Sequence, residues 1–471
     1  MKLENIIKNL SADDYNAIVD SFTKTKAEKF LKLLESINKK KSEAHIIKSL
    51  KVSPAAYYTL RSRLLDKIQE HVYSKAPNAG FKLSKNIDNI EHLLYNSPKE
   101  IALSVLLKLE KELKKFDLQS DLAIVYKAFC KLYALSDKYN HYHDCYLKAK
   151  EDALAIEKAE DLLHLFNKNC SIYWASRGVE QLNLIIKNKR EMNASQTFVD
   201  SHHLKVFKNI LNIQFALYIG LKEEMQEDDS IEQMLLETLE IINAFPDDKL
   251  YLHLGGIINL LHFEYYIHSK LYKKAGVYFE KIKSNWMGYC YYNRGFFVAN
   301  FYASVIDYYF HEQQEKQLAN DQLFFICEQD KDCLPDYIIA EYFKAINLFY
   351  AQNYTASLEA INKLLEEVSF KNYDCISLEI KFFQILLHLK NDNLLISEKY
   401  LKSMENRLQQ INCKELKTIS IVLFKVLHKY CFDKKNKKRS TTHFKKLIQK
   451  FELTNANQVY HFIRLRDVDF N

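Results

Sequence analysis

The chain reads as all-α, and three observations predict that class. Eight Gly and five Pro in 471 residues leave little of the turn chemistry that strands and phosphate loops require, because those turns need positive φ or a close backbone approach. Hydrophobic residues make up 48% of the chain, ample for burying helix faces. Apolar positions recur with helical spacing between breaks that lie tens of residues apart. Because single cores stop growing at roughly 250–300 residues, a chain of this length should form several domains or a linear array.

Ser11 stands three residues before Asp14, a shortened capping signal for a first helix. Helical spacing then continues through Ile18, Phe22, Phe30, Leu33 and Leu34. The break at Asn38-Lys39-Lys40-Lys41 precedes a short helix over 42–50. Ser53 suits an N-cap and Pro54 a first helical position, so a long helix should run to about Tyr73. The stretch from Ser74 to Ser84, with Pro77 and Gly80, is the best linker in the chain. Residues 1–76 are therefore expected to form an N-terminal helical domain, and residues 84–471 a second domain. Beyond the linker, breaks are expected at Ser97-Pro98, Arg177-Gly178, Gly220, Phe245-Pro246-Asp247 and Leu334-Pro335.

Charge is unevenly spread. Residues 1–75 carry 15 Lys/Arg against 9 Asp/Glu, and residues 421–471 carry 12 against 4. With a net charge of +7 overall, the two ends are basic and the middle is acidic, so attraction to nucleic acid belongs to the ends. KEEMQEDDS at 222–230 is an acidic loop and KKNKKR at 434–439 a basic one. The basic loop reads as a solvated segment before a capped helix, with a phosphate contact as the alternative. No run of about 18 uncharged apolar residues suggests a membrane span. The nine cysteines are scattered without a C-x-x-C pair; this fits neither a disulfide framework nor a zinc ribbon, and points to a reducing, cytoplasmic setting.

A spaced pattern recurs within the long second domain. Tyr272, Ala275, Phe279 and Ile282 follow one another at intervals of three, four and three. The same spacing returns at Tyr354, Ser357, Ile361 and Leu364, and again at Leu394, Ser397, Leu401 and Met404. A looser copy lies at Tyr139, Tyr142, Tyr146 and Ala149. A small residue lets two helices close on each other, and the large ones fill the groove against the next pair. The pattern resembles the second helix of the tetratricopeptide repeat, over roughly residues 84–410. Its unit near 40 residues is longer than that family's 34, and its first-helix signature is degenerate, with Ala345 as a small residue but no Trp-Leu-Gly. The resemblance implies a right-handed solenoid of antiparallel helical hairpins.

The run from Ile46 to Arg61, IIKSLKVSPAAYYTLR, resembles a bacterial helix-turn-helix. Lys51 stands where that motif has a turn glycine, and Ile47 where it has a small residue. The resemblance implies Tyr58, Thr59, Arg61 and Arg63 as groove-facing readers and Lys39, Lys40 and Lys41 as phosphate contacts. The same run also reads as a helical cap whose Tyr57, Leu60, Leu64 and Ile68 pack on the first hairpins.

Trp286 to Phe297 is the densest aromatic cluster, and Tyr289, Tyr292, Asn293 and Arg294 would line a peptide groove on a solenoid's concave face. Ordinary packing between hairpins is the alternative. His141, His143 and Cys145 have metal-binding atoms, but i, i+2 histidines sit on different sides of a helix, and His141 with Cys145 alone makes no site. His253, His262 and His268 read as core or groove histidines with satisfied nitrogens. No phosphate loop, nucleophile elbow or zinc-protease motif is present. The sequence thus points to a non-enzymatic scaffold that needs no metal or cofactor and binds a protein or peptide partner. The alternative is a transcriptional regulator, with DNA bound at the N-terminus and a peptide sensed by the repeats.

Overall fold

A chain so poor in glycine must turn between helices by other means, and the way it does so sets its architecture. At Lys40, Lys51, Asp117, Lys270, Gln352 and Asp392 a non-glycine residue adopts the left-handed conformation, with φ between 52° and 61°. At each, the residue's N–H donates to the carbonyl three residues back, and the next N–H to the carbonyl five back. This double closure satisfies helix-terminal carbonyls that would otherwise be orphaned. One turn geometry is therefore reused along the chain, with side chains tolerated where glycine is usual.

The computed structural model describes residues 3–8, 10, 12–25, 27–74, 86–195, 201–220, 230–246, 248–284, 298–312, 331, 333–436, 442–455, 459–465 and 468. Among these every regular element is an α-helix, and no helix is long and apolar enough to cross a membrane. The chain divides into two compact units, Met1–Ala102 and Leu103–Asn471.

The first unit holds α1 (Leu3–Lys8), α2 (Ala12–Lys24), α3 (Glu28–Asn38), α4 (Glu43–Leu50), α5 (Pro54–Ser74) and α6 (Ile90–Asn96). The continuous helical spacing expected through residues 18–34 is divided between α2 and α3, where the Ala27 N–H donates to the Phe22 carbonyl. Helix α3 packs on α1, α2, α4 and α5. Leu33, Leu34, Ile46, Leu50, Tyr57, Leu64 and Ile68 join Leu3, Ile7, Ile18, Phe22 and Ile37 in one core. Tyr57, Leu64 and Ile68 thus bury against their own unit, where the cap reading had them on the hairpins.

The second unit contains most of α7 (Lys99–Lys115), then α8 (Gln119–Leu132), α9 (Lys138–Ser176), α10 (Val179–Ser195), α11 (His202–Tyr218), α12 (Ile231–Ala244), α13 (Lys249–His268), α14 (Tyr272–Ser284) and α15 (Val298–His311). It ends with α16 (Leu334–Tyr350), α17 (Tyr354–Glu367), α18 (Asp374–Lys390), α19 (Leu394–Gln409), α20 (Lys414–Lys435) and α21 (Thr442–Thr454). Each expected break falls at a helix end: Arg177 and Gly220 take positive φ just after α9 and α11, and Pro335 sits in the first turn of α16.

Neighbouring helices pair as hairpins, α13 with α14, α16 with α17, α18 with α19 and α20 with α21. The starts of α16, α18 and α20, at 334, 374 and 414, are each 40 residues apart. The spaced pattern faces inward as its chemistry requires. Ala275, Ser357 and Ser397 are completely buried, and Phe279, Ile282, Ile361, Leu364, Leu401 and Met404 lie in the core. Ser357 shows the close approach directly, donating its hydroxyl to the Ala345 carbonyl at 2.7 Å. At Tyr139 to Ala149 the pattern lies on α9, whose 39 residues run without a break along α8, α10 and α11.

One departure matters for function. In a simple linear array each hairpin touches only its neighbours, yet α9 also packs against α16 and α18. The second unit therefore brings helices about 200 residues apart in sequence into contact, and residues 459–465 are buried among them.

Candidate functional site

Between α9, α15, α16, α18, α20 and α21 the polar groups gather round a segment with no regular structure. Val459–Leu465 follows α21, and each of its seven residues is buried. A non-helical backbone buried away from water must find partners for its N–H groups, and side chains supply them. The Glu379 carboxylate of α18 accepts from the N–H groups of His461 at 3.0 Å, Phe462 at 2.7 Å and Ile463 at 3.3 Å. Three successive N–H groups converging on one anion form a nest. Asn455 accepts from the Tyr460 N–H at 2.9 Å and donates to the Tyr460 carbonyl at 2.8 Å, acting as a surrogate backbone. The Leu465 N–H donates to Glu452 at 2.9 Å, and the Cys375 thiol reaches the Val459 carbonyl.

The side chains of the segment are held as firmly. His461 stacks on Trp174 of α9, with ring centroids 3.7 Å apart. Phe462 meets Tyr342 of α16 edge-on, and Tyr460 meets Phe382 of α18 in the same way. The Tyr460 hydroxyl pairs with Ser420 of α20. Arg464 donates to Asp307 of α15 at 3.2 Å. Burial works against the Arg464 charge, but Asp307 beside it holds the guanidinium protonated. At Glu379, burial pushes the carboxyl up to about 7, opposed by the three N–H bonds. The segment thus contributes its main chain to hydrogen bonds with side chains and its aromatic rings to packing.

Polar side chains also pair elsewhere in the second unit. Asn167 donates to Gln214, Asn209 to Thr238 and Glu237, and Gln384 to Asn362. Glu264 of α13 is fully enclosed beside Asn300 and Tyr218, and burial pushes its carboxyl up to about 8. Asn347 of α16 is completely buried, and neither its amide oxygen nor its nitrogen has a hydrogen-bond partner. Isolated carboxylates and amides are costly in such positions, so Glu264 and Asn347 stand out in a core that is otherwise mainly apolar.

A second polar cluster joins the N-terminal ends of three helices. His203 Nε2 lies 2.7 Å from Asp248, and its Nδ1 lies 3.9 Å from Asp117. Ser201 donates to Asp117 and accepts from the Leu204 N–H, and Asp248 accepts from the Leu250 N–H. Ser201 and Asp248 are thereby N-caps of α11 and α13. His202 pairs its Nδ1 with the Tyr251 hydroxyl and stacks on Phe245.

The residues singled out from the sequence meet different fates. Tyr289, Tyr292, Asn293 and Arg294 lie outside the described residues. Tyr58 is exposed but donates to Glu43 at 2.6 Å, and Arg61 pairs with Glu4 at 2.8 Å, so two proposed DNA readers already face carboxylates. Thr59 donates to the Ala55 carbonyl, Lys39 pairs loosely with Glu35, and Lys40, Lys41 and Arg63 are exposed. Of the run expected as a basic loop, Lys434 and Lys435 are the last residues of α20, where they pair with Asp392 and Glu398, and residues 437–439 lie outside the described set. His141 and Cys145 approach to 3.9 Å on α9. His262 is a core histidine, bonded to the Ile258 carbonyl and stacked on Tyr278.

Neither Glu379 nor the segment 459–465 is among the residues that the sequence motifs mark. A partial signal is present: Glu379 is the one carboxylate between Ile376 and Leu389, in a stretch that is apolar apart from Ser377, Lys381, Gln384 and His388. No protein-family profile, curated protein or solved structure matches this chain.

Proposed function

We propose that the chain is a non-enzymatic protein–protein interaction scaffold, a tetratricopeptide-like right-handed solenoid whose inner face holds a peptide segment. The observation that carries this reading is the grip on residues 459–465, whose N–H groups are taken by Asn455, Glu379 and Glu452 side chains. Hydrogen bonds to the main chain give affinity that depends little on sequence, while aromatic slots such as Trp174 and Tyr342 select side chains. The small buried residues at 275, 357 and 397 and the 40-residue spacing support the repeat assignment.

The test uses a fluorescent peptide spanning 456–471, titrated against a chain ending at Asn455 and against the full chain. The shortened chain should bind the peptide. The full chain should bind at least about 10-fold more weakly, because a tethered segment competes at high effective concentration. A shortened chain that keeps its helical circular dichroism but binds no peptide would reduce the interior to ordinary core packing.

The alternative is a transcriptional regulator that binds DNA through residues 42–73. Lys51 in the left-handed conformation between α4 and α5 favours it, since that turn joins two helices at the position where the motif needs one. A mobility-shift titration of the full chain should then weaken steeply with salt. No shift at low salt excludes it.

A further inference from the structure

We infer that Asp117, His202 and His203 form a binding site for a divalent transition-metal ion of the Zn2+ class, with Asp248 and Tyr251 as its supporting shell. One oxygen of Asp117 and one ring nitrogen of each histidine lie within 4.8 Å of one another. Zn–N and Zn–O bonds near 2.0–2.1 Å put tetrahedral ligand atoms roughly 3.3 Å apart, so the three need only draw together around an ion. The distance from His203 Nδ1 to Asp117 Oδ2 is already 3.9 Å.

The outer contacts are those a metal site needs. A ligating histidine presents one nitrogen to the ion and gives its other N–H to a carboxylate or hydroxyl, which fixes the ring and its tautomer. His203 has Asp248 on Nε2 at 2.7 Å, which leaves Nδ1 toward Asp117. His202 has the Tyr251 hydroxyl on Nδ1, and its Nε2 is buried without a hydrogen-bond partner. With Nδ1–H donating to Tyr251, the lone pair of Nε2 is free for an ion, and an orphaned buried nitrogen gains a partner. Asp117 also accepts from Ser201 and, on its other oxygen, from Gln119 at 2.6 Å. These bonds orient the carboxylate while leaving it a lone pair to share.

Charge favours the same outcome. Asp117, His203 and Asp248 are all buried, so their charges are poorly solvated. With neutral imidazoles, the two carboxylates leave the cluster at −2. A divalent ion with neutral imidazoles brings it to zero, and the helix N-termini at α11 and α13 favour the carboxylates that remain. Soft thiolates are absent from the set, and mixed imidazole and carboxylate ligands suit Zn2+ and its neighbours in the first transition row.

The experiment uses the full chain stripped with EDTA and then titrated with Zn2+ or Co2+ alone. We expect one equivalent to bind, Co2+ to give the visible bands of a tetrahedral site, and thermal stability to rise with Zn2+. His202→Phe keeps the stacking on Phe245 and should abolish binding without loss of helical circular dichroism. Asp248→Asn should weaken Zn2+ by about 10–100-fold, and Cys145→Ser should leave binding unchanged, since His141 and Cys145 are the other paired donors on α9. Absence of stoichiometric uptake, or uptake that survives His202→Phe and is lost in Cys145→Ser, would overturn the assignment.

Discussion

Replacing Glu379 by alanine removes the acceptor of three buried N–H groups at once. An unsatisfied buried donor costs about 1–3 kcal/mol, so the three bonds to His461, Phe462 and Ile463 set a loss of roughly 3 kcal/mol at one per donor. That corresponds to a drop of about 100-fold in hydrogen-exchange protection of these amides. The loss also depends on pH. Burial pushes the Glu379 carboxyl up to about 7, so its contribution is complete below the unfolded value near 4.5 and is lost as pH rises through 7. By linkage the ionised group weakens the native state by about 2–3 kcal/mol more at pH 8 than at pH 5. The alanine variant escapes that penalty, so its deficit should be largest at pH 5 and shrink by pH 8. The assay is amide exchange at 461–463 in both proteins at both pH values, corrected for intrinsic rates. Protection that stays within tenfold of the parent at pH 5 would refute the reasoning and assign the hold on this segment to Trp174 and Tyr342 packing alone.

Three further outcomes follow from the same geometry. Glu264, with its carboxyl raised to about 8 chiefly by burial, stabilises the fold below pH 4.5 and loses that contribution as pH rises through 8; Glu264→Gln should flatten the fall in thermal midpoint between pH 5 and 9. Ser357→Leu forces a large side chain into the fully buried contact with Ala345 and should cost about 1–3 kcal/mol, read as a lower urea midpoint, whereas Ser357→Ala should cost less. Gln352 holds φ at 61° in the turn between α16 and α17; Gln352→Gly relieves the left-handed strain and should raise stability by up to about 1 kcal/mol, so a lower thermal midpoint would contradict that account.

Much of the helical framework was legible because it is written in local chemistry. Pro335, Gly220 and the Arg177-Gly178 pair mark helix ends without reference to the rest of the chain. The small residues at 275, 357 and 397 could be read from spacing, because the helical period fixes which side chains share a face. The reuse of one left-handed turn by Lys270, Gln352 and Asp392 was not legible in the same way. Nothing in those side chains announces positive φ, and the turn arises where two helices must reverse within three residues.

The candidate sites depended almost wholly on tertiary structure. The aromatic cluster at 286–297 stands out in the sequence because aromatic density is a local property. Glu379 and its three N–H partners are separated by more than 80 residues, and Asp117 and Asp248 by more than 130. No spacing rule links such positions, because the link is made by α9 packing on α16 and α18 and by helix starts converging in space. What the sequence determined by itself was helix class, helix ends and the inward face, all set by interactions spanning a few residues. Only the tertiary structure decided which carboxylate meets which backbone, because a buried charge is stabilised by whatever distant groups the packing brings within about 3 Å of it.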